Sequence, residues 1–305
     1  MLCHYLGIVE FLVTKIGYIL AMVMGTSAAE TLNSTANIFI GGIEAPLMIK
    51  SFLPKMTDSE LHAIMTSGMA TIAGSVLAAY ISFGIPGTHL LAASVMSAPA
   101  ALAISKIIYP ETKKPESSVK GGIEVEKPED SNIIAAAANG ATMAITLVLN
   151  IGGMLIAFLA LVAMVDGFLG GIGGLIDQDL SFSSICRILF YPVAWLLGVE
   201  PQDCATVGSL IGTKIFVNEF VAYAELAQLI KDGNIDHKSV VIATYALCGF
   251  SNFGSIGITL GGLTPLAPNK KSSLTKLVVS AMVASNLACF MTAAIAGLLY
   301  DSSSM

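Results

Sequence analysis

The sequence predicts an all-α, polytopic membrane protein with two re-entrant helical hairpins and interrupted helices arranged as an inverted repeat. Three observations carry this. Of 305 residues, 55% are hydrophobic and only 12% charged, where a soluble domain carries about 25% charged residues. Apolar runs of the length that crosses a hydrocarbon core, about 20 residues, recur at 62–83, 88–108, 142–165, 240–265 and 274–300. Two further apolar stretches hold polar groups mid-segment: 25–50 with Glu30, Asn37 and Glu44, and 201–231 with Lys214, Asn218, Glu219 and Glu225.

An ionisable group at the centre of a lipid-facing helix costs about 2.5–3.5 kcal/mol, so these two stretches must face protein or water. Two short half-helices doubling back to one side, with the polar tip near the midplane, suit them better than one spanning helix.

Taken in order, residues 1–24 have an apolar body broken by Glu10 and Lys15 and no basic leader. They read as an amphipathic or interfacial helix rather than a cleavable signal. Residues 25–109 form a first repeat: hairpin, a helix interrupted at Thr71-Ile72-Ala73-Gly74-Ser75, then a plain helix. Residues 110–131 (PETKKPESSVKGGIEVEKPEDS) have the Pro, Glu, Lys and Ser content of an aqueous, cytoplasmic loop.

Residues 132–200 supply a scaffold helix and an extracellular interfacial helix at 182–199, where Arg187, Tyr191, Pro192 and Trp195 break the apolar pattern. Residues 201–300 repeat the first unit, and 301–305 are a tail. The crossing at 142–165 starts the second unit from the opposite face, which inverts the repeat. Lysine asymmetry fits this layout. Lys50, Lys55, Lys106, Lys113, Lys114, Lys120, Lys127, Lys270, Lys271 and Lys276 fall on the inner side, and little beyond Arg187, Lys231 and Lys238 on the outer.

The formal charge of −6, from 15 Lys and Arg against 21 Asp and Glu, offers no basic face, so nucleic acid is not an expected partner. Five cysteines and four histidines show no CxxC or HExxH spacing, so neither a disulfide framework nor a structural metal is expected. No nucleophile with a matching base is visible, so an enzyme is not expected. Residues 170–174 (GGIGG) lack the Lys-Ser/Thr of a phosphate loop and read as a flexible turn. The sequon Asn33-Ser34-Thr35 falls at the cytoplasmic mouth, where it would go unused.

A broken helix exposes unpaired N–H groups at one end and unpaired carbonyls at the other. Residues 249–257 (GFSNFGSIG) read as such an unwound segment, with close packing of small residues as the alternative. Glu219 is the sharpest single candidate, because an ionised carboxylate accepts several hydrogen bonds and suits vicinal hydroxyls such as those of a ribose. An ion pair with Lys214 is its structural alternative. Asn252 and Ser255 both donate and accept, completing a polyol site.

Glu44 is read as a second buried carboxylate, meeting the polar part of a substrate, setting the field near a cation, or bonding the facing hairpin. Asn37 and Thr71 supply hard oxygens of the kind sodium prefers, with carbonyls of Ile40 and Ile72 to complete the shell. Phe250 presents a ring to a planar base or packs in the core. Cys248 reads as a small core hydrophobe.

At these residues the sequence resembles the concentrative nucleoside transporter family from about Tyr5 to Tyr300. The most specific elements are 212–223 (GTKIFVNEFVAY) and 245–255 (YALCGFSNFGS), supported by Ala36-Asn37-Ile38-Phe39, Glu44-Ala45-Pro46-Leu47, 78–84 (AAYISFG) and 93–99 (ASVMSAP). The resemblance implies sodium-driven nucleoside uptake across the plasma membrane by a homotrimer in which a transport domain carrying both hairpins moves against a scaffold. It implies sodium as the coupling ion and no further cofactor.

Position by position, it makes Glu219, Asn252 and Ser255 ribose contacts, Phe250 a base-proximal ring and Glu44 the acidic end of the first-hairpin motif. Asn37, Ile40, Thr71 and Ile72 match its sodium site. Two departures stand out. The family's first hairpin typically reads Gly-Gln-Thr-Glu, and here the run is Gly41-Gly42-Ile43-Glu44, so both base-reading side chains are replaced. The resemblance also implies further membrane helices ahead of the point matching Met1, so a fragment, a short isoform or a truncated gene product is expected. The competing expectation is a transport-dead subunit that associates with full-length relatives and modulates them.

Overall fold

A computed structural model describes residues 7–116, 132–175, 178 and 180–301. Residues 117–131 of the expected loop 110–131 and most of the tail fall outside the described residues. Among the described residues the structure is helical with no strands: α1 (Ile8–Met24), α2 (Ala28–Ala36), a 3-10 turn (Ala45–Ile49), a second (Leu53–Lys55), α3 (Asp58–Ala70), α4 (Gly74–Phe83) and α5 (Gly87–Ile108). Then come α6 (Ile133–Leu175), α7 (Phe182–Leu196), α8 (Cys204–Phe216), α9 (Glu219–Lys231), α10 (His237–Ala246), α11 (Phe253–Leu266), a 3-10 turn (Pro268–Lys270) and α12 (Lys271–Leu298).

Two of the five predicted crossings are not continuous helices. The 62–83 run is α3 and α4 separated by three non-helical residues, Thr71 to Ala73. The 240–265 run is α10 and α11 separated at 247–252, where Gly249 takes φ +91°, a conformation that glycine adopts without strain. Only the first part of the expected unwound stretch 249–257 is unwound. Asn252 caps α11 by accepting from the backbone of Ser255, which returns residues 253–257 to helix.

The helix predicted at 142–165 is part of the longest of the described helices, 43 residues, or about 65 Å at 1.5 Å per residue. It runs through 170–174, correcting the expected flexible turn: an apolar backbone without water keeps its hydrogen bonds by staying helical, despite the cost of its glycines. Of the described helices, Gly87–Ile108 and Pro268–Leu298 are long and apolar enough by themselves to cross a membrane. The exposed side of α1 is also apolar, carrying Phe11, Tyr18, Ile19, Met22 and Val23, while Val13 and Ala21 are buried.

Residues 25–50 and 201–231 each form a paired unit. In the first, Ser27 and Glu30 make a reciprocal capping box that starts α2, and the return arm is a short 3-10 turn with Pro46 at its start rather than an α-helix. Its base is pinned by Glu30, whose carboxylate lies 2.7 Å from Lys106 Nζ of α5, and by Ser27 Oγ donating to Glu60 at 2.7 Å. In the second, α8 and α9 are joined at Val217 and Asn218, and Asn218 caps α9 by accepting from Val221 N at 3.0 Å.

The predicted interfacial helix α7 packs tightly along α8. A Cβ at Gly208 would lie 3.1 Å from the Phe190 carbonyl carbon, and one at Gly212 would collide with Cys186, so small residues set the helix spacing.

Two main hydrophobic clusters hold the elements. One joins Val76, Tyr80, Leu90, Leu210, Ile211, Tyr223 and Ile242, across α4, α5, α8, α9 and α10. The other joins Leu32, Met48, Leu61, Met65, Leu263, Leu274 and Val278, across α2, α3, α11 and α12.

Candidate substrate and cation site

The two helix breaks touch. A Cβ on Gly249 would sit 2.6 Å from the Met69 carbonyl oxygen and 2.7 Å from the Ala70 carbonyl carbon, so the second break lies against the end of α3 just before Thr71. Cys289 of α12 closes the junction, its thiol donating to the Cys248 carbonyl at 2.7 Å and, more weakly, to Ala70 at 3.6 Å. Both paired units then place their tips against the breaks.

At the second break, Glu219 is 3% exposed and is the first residue of α9, where the helix N-terminus favours a carboxylate. Asn252 Nδ2 donates to its Oε2 at 3.0 Å and the Tyr80 hydroxyl to its Oε1 at 3.4 Å. Asn252 Oδ1 in turn accepts from the Ser255 hydroxyl at 3.1 Å and backbone at 2.9 Å. Glu219, Asn252 and Ser255 thus form one connected polar row between α9 and α11.

Phe250, half-buried two residues before Asn252, packs against the first hydrophobic cluster. Lys214, the alternative partner of Glu219, is committed elsewhere: its buried ammonium donates to Asn286 Oδ1 at 2.9 Å and to the Ala246 carbonyl at 3.3 Å. It thereby caps the carbonyl end of α10. Tyr223 caps the same end, its hydroxyl donating to the Thr244 carbonyl at 2.8 Å, so both arms of the second unit are fastened to the helix that leads into the break.

The sequence reasoning missed Tyr80. It lies in the AAYISFG run but carries no local signal, because its partner is 139 residues away; its fully buried ring packs on Phe220 and Tyr223.

At the first break, Asn37 and Thr71 are fully buried or nearly so, and Ile72 is buried beside them. Asn37 Nδ2 donates to Ser67 Oγ at 3.3 Å and Thr71 Oγ1 to the Ser67 carbonyl at 3.0 Å. Asn37 Oδ1 has no hydrogen-bond partner among the described residues. Thr71 ends α3 in extended conformation, at φ −114° and ψ 160°, so carbonyls near it are free of the helical ladder. A buried, unpartnered amide oxygen beside a helix break fits a cation that takes oxygen ligands.

Glu44 differs from its expectation. It is half-buried, because it precedes the 3-10 turn and its carboxylate folds back over Gly41, whose Cβ it would collide with. The loop 37–44 lies directly on the broken helix. A Cβ at Gly42 would be 2.6 Å from the Gly68 carbonyl oxygen, and one at Gly74 would be 2.8 Å from that of Phe39. Ile43, 45% exposed, reaches Gly262 of α11.

A helical chain whose two broken helices abut, one break beside a buried carboxylate and the other beside an unpartnered amide oxygen, has the features of a class in which irregular backbone lines a site for small solutes. The profile described as "Na+ dependent nucleoside transporter C-terminus" matches residues 89–297, and a gate profile described as "Nucleoside recognition" matches residues 2–87. The chain belongs to the sodium-dependent (concentrative) nucleoside transporter family.

It is 47% identical to mouse (Mus musculus) solute carrier family 28 member 3, an alignment covering 98% of this chain and 44% of that protein. It is 46% identical to rabbit (Oryctolagus cuniculus) sodium/nucleoside cotransporter 1, over 97% and 47%. The chain therefore spans less than half the length of these curated relatives. Its structure superposes on that of CNTnw in an inward-facing substrate-bound state with a TM-score of 0.91 at 40% identity, covering 97% of this chain and 70% of that one. On a CNTnw variant in the intermediate 1 state the TM-score is 0.93 at 39% identity, over 98% and 73%.

Proposed function

We propose that this chain carries the substrate and ion sites of a sodium-coupled secondary active transporter that imports nucleosides across the plasma membrane, working as a homotrimer. The observation that carries this reading is Glu219: a buried carboxylate at a helix start, held by Asn252 and Tyr80 rather than by a cation. Such a group accepts hydrogen bonds from vicinal hydroxyls, and Asn252 and Ser255 provide the complementary groups for a ribose. Phe250 faces the base, and Glu44 lies at the first tip.

Sodium binds Asn37 and Thr71 with carbonyls of Ile40 and Ile72. The abutting breaks make one ligand's binding felt by the other, since Gly249 rests on the residue just before Thr71. One sodium ion falling through 100 mV contributes about 2.3 kcal/mol, enough to drive accumulation of a neutral nucleoside.

In this reading residues 25–50 and 201–231 are re-entrant hairpins, the two units are related as an inverted repeat, and the site moves as an elevator against α6 and α7. With Gly42 and Ile43 at the first tip, the sugar is recognised by polar groups and the base by apolar contact. The test is uptake of labelled uridine and adenosine in cells expressing the chain, with sodium replaced by choline. Sodium-dependent uptake of both supports the reading; uptake indifferent to the replacement rejects the coupling.

A further inference from the structure

Helices α2 and α3 face each other through three polar residues whose bonds orient one another. The Ser67 hydroxyl donates to the Ile64 carbonyl at 3.1 Å, which leaves its oxygen to accept. Asn33 Nδ2 and Asn37 Nδ2 both donate to that oxygen, each at 3.3 Å. This decides which end of each amide is which: nitrogen toward Ser67, carbonyl oxygen away.

Both carbonyl oxygens are then buried acceptors without a donor among the described residues, on residues that are both 0% exposed. A buried acceptor left unsatisfied is costly. Four residues apart, the two side chains lie one above the other on one face, and each offers a ligand an unused oxygen. Opposite, Thr71 follows Ser67 by the same interval on α3 and donates to its carbonyl at 3.0 Å. The amide-and-hydroxyl pair Asn37 and Thr71 is thus repeated one helical turn back as Asn33 and Ser67.

We propose that Asn33 Oδ1 is a cation ligand, and that the Asn33–Asn37 face of α2 holds a second monovalent-cation station beside the Asn37–Thr71 site. This rests on the reading of Asn37 as a sodium ligand and extends it. The donors are neutral amide oxygens, and the nearest carboxylate on the helix, Glu30, is committed to Lys106 at 2.7 Å. A shell without net charge does not repay the dehydration of a divalent ion, which takes carboxylates.

The test is a sodium titration of thermal stability on the purified chain, without nucleoside, with choline holding ionic strength constant. The wild type is expected to gain stability with sodium and to titrate with a Hill coefficient above one. Asn33→Ala is expected to keep sodium stabilisation while its Hill coefficient falls to one and its midpoint rises severalfold. Asn33→Asp, nearly isosteric and with a charged oxygen, is expected to lower the midpoint, and it decides the matter if Asn33→Ala does not melt cooperatively.

Midpoints and slopes unchanged in both variants would mean that Asn33 binds only water; that overturns the second station and leaves the Asn37 site standing. No sodium stabilisation of the wild type would instead overturn the sodium reading itself, and this inference with it.

Discussion

Asn252 Nδ2 donates to Glu219 Oε2 at 3.0 Å across 33 residues of sequence, so the unwound segment of one broken helix fixes the carboxylate that starts another. Because Asn252 also caps α11 through Ser255, the polar row is preorganised before any ligand arrives. Replacing the charge alone tests it. Glu219→Gln is expected to lower nucleoside affinity by about 1.5–3 kcal/mol, the worth of hydrogen bonds to a charged group, or roughly 10- to 150-fold. Surface expression should be unchanged. Normal binding by the variant would remove Glu219 from the site.

Tyr80 touches that carboxylate only through its hydroxyl, and its ring is core. Tyr80→Phe keeps the packing and removes one neutral donor, worth about 0.5–1.5 kcal/mol. A severalfold rise in the nucleoside concentration for half-maximal uptake, with thermal stability nearly unchanged, is the expected result. A large loss of stability with unchanged uptake would make Tyr80 purely structural.

Lys214 is a fully buried ammonium whose bonds run to Asn286 and Ala246. Asn286→Ala leaves that charge without its closest acceptor and should destabilise the chain by about 1.5–3 kcal/mol, read as a lower melting temperature in detergent. Lys214→Met in the same background removes the uncompensated charge and is expected to recover part of the loss. Additive damage from the two changes would show that the two side chains act independently.

The Gly42 position separates what sequence comparison and packing each expect. Comparison suggests that Gly42→Gln restores a base-reading side chain. The structure expects the opposite, because a Cβ there lies 2.6 Å from the Gly68 carbonyl oxygen and 2.9 Å from the Gly68 α-carbon. Backbone cannot give way as a flexible side chain does, so overpacking by about 1–3 kcal/mol should lower stability without sharpening discrimination between uridine and adenosine. Gly261→Ala, on a glycine with nothing within 4 Å, is the matching control and should be nearly silent. Improved discrimination by Gly42→Gln at full stability would refute this account of the tip.

Both breaks are legible in the sequence. Gly249 and the Asn252 cap interrupt one apolar run, and Thr71 to Gly74 interrupt the other, since glycine and capping side chains compete with the helical ladder locally. The extent of unwinding is not: residues 253–257 are helical because Asn252 satisfies the first free N–H groups of α11. Glu44 was expected to be buried, but its burial depends on how the tip folds over Gly41, which no local pattern encodes.

From the sequence alone follow the helical class, the buried polar clusters in two apolar stretches, and the residue types able to grip a sugar or a cation. These depend on composition and on spacings within a few turns, where hydrophobicity and capping act. Only the tertiary structure decided that Tyr80 of α4 reaches Glu219 of α9, that Lys214 is committed to Asn286 rather than to Glu219, and that Ser67 takes the nitrogens of two amides whose oxygens have no partner among the described residues. Those outcomes depend on which elements pack together over separations from 30 to 139 residues. Hydrogen bonds discriminate over tenths of an ångström, and one-dimensional spacing carries no information at that scale.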